Sequence, residues 1–285
     1  MILCDGKLVT FYMSQALSTM EWGYTLAGLA VGIMVGMTGV GGGSLMTPIL
    51  IFGFAVQPVV AVGTDLLFAA LTKAGGVWAY WRHGVVHWQV VKRLAMGSVT
   101  TTLLTLWVLN AGGVGKGEHN DLITTALGVA LILTSSALLL KAWIGSIMKA
   151  QADHPVISAL YRMRQDEKHK AIATVLTGGF LGVMVTLSSV GAGALGAVIL
   201  LFLYPKMKGV EIVATDIAHA VPLTAIAGLG HSAVGTVDWS LLSFLVMGSL
   251  PGIYIGSHLG VKIPDHVMRP FLAVILLGVG IKCLV

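Results

Sequence analysis

The sequence predicts an all-α integral membrane protein made of two homologous, inverted repeats. Each repeat is a glycine-broken re-entrant hairpin followed by three transmembrane helices, about eight hydrophobic segments in all. Three observations lead there. Of 285 residues, 56% are apolar and only 10% are Asp, Glu, Lys or Arg, against a charged share of about 25% in ordinary globular domains. The apolar residues form long runs of the length a bilayer core demands. The second half of the chain also restates motifs of the first.

Composition narrows the function. The excess of Lys and Arg (17) over Asp and Glu (12) fits cations retained at a membrane surface, so nucleic acid is not an expected partner. Cys4 and Cys283 lie at the two extremities without a CxxC, which indicates neither a disulfide framework nor a thiol relay. There is no Walker motif, so any energy source is a gradient. His83 and His87 have i, i+4 spacing but flank Gly84 in a loop, and no HExxH or Cys/His set accompanies them. Neither a metal nor another cofactor is expected, and an enzyme is not.

Residues 1–21 read as a pre-segment without the pattern of a cleaved signal. The first membrane repeat covers 22–145. Its opening run, Trp22 to Phe54, would be near 48 Å long as one helix against a hydrocarbon core of about 30 Å. A break is therefore expected, and Gly36-Met37-Thr38-Gly39-Val40-Gly41-Gly42-Gly43-Ser44 supplies it, since glycine costs about 1 kcal/mol inside a helix. Pro48 falls where a restarting helix tolerates a missing N–H. Spans at Gln57–Trp81, Trp88–Asn110 and Asp121–Ile144 follow. Residues 146–170 form a polar cytoplasmic connector, and the second repeat covers 171–285.

The repeat is explicit. Val40-Gly41-Gly42-Gly43-Ser44-Leu45 aligns with Val190-Gly191-Ala192-Gly193-Ala194-Leu195, Thr64-Asp65 with Thr215-Asp216, His87-Trp88 with Asp238-Trp239, and Gly97-Ser98 with Gly248-Ser249. If both glycine stretches enter and leave on one side, Arg82, Lys92, Arg93, Lys141, Lys149, Arg162, Arg164, Lys168, Lys170, Lys206, Lys208, Lys262 and Arg269 share one face. Only Lys7, Lys116 and Lys282 face the other. The positive-inside rule favours that arrangement, with both termini outside.

Irregular backbone at membrane depth is tolerated where it lines a polar cavity, and a restarted half-helix offers free N–H groups to an anion. The candidate substrate site is accordingly Gly39, Gly41, Gly42, Gly43 and Ser44 with Ser188, Ser189, Gly191 and Gly193. The competing reading is that these glycines let helices pack closely. Lys73 lies mid-span, where a charge costs about 2.5–3.5 kcal/mol. Its partner is a substrate anion, Asp65, or water reached by snorkelling past a helix break at Gly75-Gly76. Thr64, Asp65, Thr215, Asp216 and His219 are candidates for a coupling or pathway role, including protons, against the alternative of caps and a packed histidine.

Gly39-x-Gly41-Gly42-Gly43-x-Leu45-x-x-Pro48, Ala61-x-Gly63-Thr64 and the Gly84 to Trp88 element, all repeated in a second half, resemble the sulfite exporter TauE/SafE family, the TSUP group of membrane carriers. The resemblance covers nearly the whole chain apart from the first twenty residues and the connector. It implies a multi-pass protein of the plasma (inner) membrane that exports or exchanges small sulfur-containing anions such as sulfite, thiosulfate or organosulfonates without a cofactor. The second motif departs from the pattern: Ser189 stands in place of a glycine, Ala192 replaces the middle one, and the proline is missing. A passive anion channel is the alternative, and an intramembrane redox enzyme a more distant one.

Overall fold

The computed structural model describes residues 5–38, 43–111, 120–147, 167–260 and 265–284. Among them the chain forms α1 (Asp5–Thr38), α2 (Gly43–Pro48), which runs into a π-helical turn at Ile49–Gly53, and α3 (Pro58–Arg82). Next come α4 (Trp88–Ala111), α5 (Asn120–Ile147), α6 (Glu167–Ser188) and α7 (Leu195–Leu203). The chain ends in α8 (Gly209–Ala233), α9 (Trp239–Gly260) and α10 (Asp265–Leu284). No strand occurs among the described residues. Six helices (α1, α3, α4, α6, α8 and α9) are long and apolar enough to cross a membrane, and α5 and α10 carry the shorter apolar runs Ile123–Leu139 and Ala273–Leu284. Apolar side chains such as Trp22, Leu26, Trp107, Leu176 and Met247 lie exposed on the outside, as a lipid-facing surface requires.

Two details differ from the reading of the sequence. The first helix starts at Asp5, inside the stretch assigned to a pre-segment, and runs unbroken into the span. α3 also continues through Gly75-Gly76, because two glycines cost only about 2 kcal/mol and the hydrogen-bonded helix on either side carries them. Most of the 146–170 connector, residues 148–166, lies outside the described residues, as do Lys116, Lys149, Arg162, Arg164 and Lys262.

Helices pair across the two halves. α1 packs on α9, α4 on α6, α3 on α8 and α5 on α10. The first two crossings are backbone to backbone. A Cβ on Gly97 would strike the carbonyl oxygen of Val175, and one on Gly178 that of Leu94; Gly28 meets Leu245 and Gly248 meets Thr25 in the same way. Small residues spaced by four are the means by which helices approach closely in lipid. α3 and α8 run antiparallel, with Gly63 against Thr236 and Gly228 against Leu67.

Because α3 and α8 run oppositely, the molecule has two distinct ends. At one, Tyr24 of α1 packs on Phe54 with ring centroids 4.8 Å apart and planes inclined at 52°, and Lys282 sits 4.6 Å over the Phe52 ring. At the other, Tyr204 after α7 hydrogen-bonds Thr174 of α6 at 2.8 Å. Arg82, Lys92, Arg93, Lys168, Lys170, Lys206 and Lys208 belong to helix ends and turns at the Tyr204 end.

Candidate functional site

The second glycine stretch is where the chain leaves helical geometry. Residues 189–194 separate α6 from α7, with Gly191 at φ +115°, Gly193 at φ +122° and Ser189 at φ +58°. The first two values are closed to residues carrying a Cβ, which explains glycine at both positions. Ser189 holds the left-handed conformation without that freedom, at a cost on the order of 1–3 kcal/mol. In the first stretch, Gly39, Gly41 and Gly42 lie outside the described residues, while Gly43 and Ser44 open α2.

Lys73 reaches the second break from the other half of the chain. It is 5% exposed, and its ammonium donates to the Ala192 carbonyl oxygen at 2.7 Å. Asp65 and Asp216 are both fully buried and lie within its electrostatic reach. An unpaired ion here would cost several kcal/mol, so the cation and the two carboxylates hold one another in place.

Each carboxylate is also tied to a half-helix. Thr47 of α2 donates to Asp65 Oδ2 at 2.5 Å. The Ser189 hydroxyl lies near the Asp65 carboxylate, although Asp65 Oδ1 and Ser189 Oγ make no hydrogen bond of ordinary geometry among the described residues. Asp216 presses on the first turn of α7, where a Cβ on Gly196 would collide with its Oδ1. One turn on, His219 is fully buried; its Nε2 bonds Ser98 Oγ at 2.8 Å, its Nδ1 has no hydrogen-bond partner among the described residues, and it feels the Lys73 charge.

The other candidates have local employment. The Ser188 hydroxyl donates to the Met184 carbonyl at 2.6 Å and accepts from the Val190 N–H at 3.2 Å, closing the end of α6. Thr64 Oγ1 accepts the Asp238 N–H at 3.0 Å, and Thr215 Oγ1 accepts the His87 N–H at 3.1 Å. Each threonine thus anchors the approach to α9 or α4 in the opposite half.

Thr47, Ser98, Gly196 and the Ala192 carbonyl were not singled out from the sequence. Thr47 and Gly196 follow the aligned glycine stretches by one or two residues, so only their position pointed to them. The cluster can hold an anion on Lys73 if the ammonium gives up Ala192, and its carboxylates and His219 can take a proton. Ser189→Gly should raise stability by about 1 kcal/mol through relief of backbone strain while lowering anion flux. A thermal-shift assay beside a flux assay checks both, and a variant with unchanged flux would leave the strained serine without a role in transport.

Comparisons with known proteins follow the same lines. The profile of the family described as "Sulfite exporter TauE/SafE" matches residues 24–283. A Bacillus subtilis (strain 168) protein named "Probable membrane transporter protein YjnA" is 35% identical over 257 residues, covering 90% of this chain and 97% of that one. A second from the same organism, "Probable membrane transporter protein YunE", is 26% identical over 89% of this chain and 93% of its own. A third, "Probable membrane transporter protein" of Xylella fastidiosa (strain Temecula1 / ATCC 700964), is 22% identical over 90% of this chain and 91% of its own. No solved structure gives a match.

Proposed function

The chain belongs to the sulfite exporter TauE/SafE family, a multi-pass membrane transporter, and we propose that it moves small sulfur-containing anions such as sulfite, thiosulfate or organosulfonates down or against a gradient. The observation that carries this reading is the bond from Lys73 Nζ to the Ala192 carbonyl. A buried cation from one half is parked on the broken backbone of the other, ready to exchange a carbonyl oxygen for an oxyanion. The glycine stretches, Ser44, Ser189 and the half-helix starts then supply backbone and hydroxyl donors.

The architecture that suits this role is a pair of inverted repeats with re-entrant hairpins. It is supported by Phe54 packing back on Tyr24 and Tyr204 on Thr174, since the segment after each glycine stretch returns to the helix that leads into that stretch. The offset that carries Val40 to Val190 also carries Tyr24 to Thr174 and Phe54 to Tyr204. The cluster of cations at the Tyr204 end supports placing that end in the cytoplasm.

Proton coupling is a separable part of the proposal. Lys73, Asp65, Asp216 and His219 share one buried cluster, so a proton gained by either carboxylate loosens the hold on Lys73. Asp65→Asn and Asp216→Asn should flatten the pH dependence of flux, measured from pH 5.5 to 8. A profile identical to the parent protein would reduce both residues to structural partners of Thr47 and Gly196.

Counterflow of labelled sulfite into proteoliposomes preloaded with sulfite, thiosulfate, taurine or chloride tests the whole. Stimulation by a sulfur anion on the far side, and not by chloride, is the expected result. Uptake without such stimulation would make the protein a channel, and no flux with any of these anions would overturn the substrate class.

A further inference from the structure

A cavity of about 450 Å³ lies at the Tyr204 end, off the central site, walled by the starts of α4 and α6 and the turn between α7 and α8. Three cations line it, Arg93, Lys170 and Lys206, against one carboxylate, Glu167. Glu167 Oε1 stands 3.4 Å from Lys170 Nζ, and its Oε2 stands 3.9 Å from Arg93 Nη1. The two cations are set into the wall at 22% and 21% exposure, while Glu167 is 75% exposed. The positive groups are therefore fixed, and the carboxylate is a loosely held counterion in a solvent-screened pair. An oxyanion with two or three oxygens meets a guanidinium in two parallel hydrogen bonds, a geometry that Glu167 at 3.9 Å does not achieve.

The cavity is separate from the Lys73 cluster. Val90, Leu94, Leu200 and Ile212 form a buried apolar plug beneath it, with Tyr204 packed at its edge. α7, nine residues long, extends from Tyr204 about 13 Å back to the break that holds Lys73. A charged solute in the cavity is thus one half-helix away from the central site, behind a dry seal.

We propose that this cavity is a capture site for small oxyanions on the basic face, in which the anion displaces Glu167 from Arg93 and Lys170. Onward passage to Lys73 rests on the transporter reading, whereas capture itself does not.

Trp88 lines the cavity and reports on it. The probe is iodide, an anionic quencher, compared with neutral acrylamide on protein in phosphatidylcholine nanodiscs; the Trp88 signal is the difference between the parent protein and Trp88→Phe. Arg93→Gln/Lys206→Gln should lower iodide quenching of Trp88 by about threefold through loss of local anion concentration, with acrylamide quenching unchanged. Glu167→Gln should raise it, and millimolar sulfite or thiosulfate should protect. Equal iodide quenching in the parent and the double variant would overturn the proposal. So would protection that appears only in discs containing phosphatidylglycerol, which would make the cavity a lipid-headgroup site. If charge-dependent quenching persists while counterflow fails for every sulfur anion, capture stands and the transport reading falls. Counterflow with an unchanged KM in the double variant overturns onward passage from this cavity to Lys73 and leaves transport intact.

Discussion

Replacing Lys73 with Met should cut anion counterflow by about 100-fold, the factor expected for a charge-assisted hydrogen bond worth up to about 3 kcal/mol to the bound anion. Lys73 is 5% exposed and bonded to Ala192, so the change removes the only cation described within the buried cluster. It also leaves Asp65 and Asp216 without their counter-charge, and breaking a buried pair from one side costs about 3–5 kcal/mol. The single variant could fail by unfolding. Lys73→Met/Asp65→Asn leaves Asp216 as the one uncompensated carboxylate of the three groups, so it should recover part of the lost melting temperature while remaining inactive. Full flux in the folded double variant would remove Lys73 from the transport site.

The membrane class, the second glycine break and the isolation of Lys73 were legible because each rests on a pattern along the chain: hydropathy, spacing, and one charge in an apolar run. What Lys73 touches was not legible. Three partners were open for it, and the structure provides a fourth, the Ala192 carbonyl, together with Asp216 from the second half. A hydrogen bond between residues this far apart in sequence depends on how α3 packs beside the α6–α7 break, and no periodicity encodes it. The pairing of α1 with α9 and of α4 with α6 was hidden for the same reason. Its raw signal was present, since Gly28 and Gly32 face Gly248, Gly252 and Gly256 at four-residue spacing. The close-packing alternative was weighed only at the breaks, whereas the backbone contacts occur along these other helices.

Gly97→Ala should be among the most damaging single methyls at the described glycines. A Cβ at that position would occupy the space of the Val175 carbonyl oxygen and crowd the Gly179 N–H. Neither is a side chain that can swing aside, so α4 and α6 must separate along their crossing. Overpacking of this kind costs about 1–3 kcal/mol and at times more, from a total stability of about 5–15 kcal/mol. The separation also carries Ser98 away from His219, whose Nε2 it bonds at 2.8 Å, so fold and central site are disturbed together. Gly75→Ala provides the contrast. Nothing lies within 4 Å of a Cβ there, and the position is inside α3, so alanine should stabilise the helix by up to about 1 kcal/mol. Thermal unfolding of the two variants in detergent should therefore shift in opposite directions. A Gly97→Ala protein as stable as its parent would mean that α4 and α6 do not meet backbone to backbone.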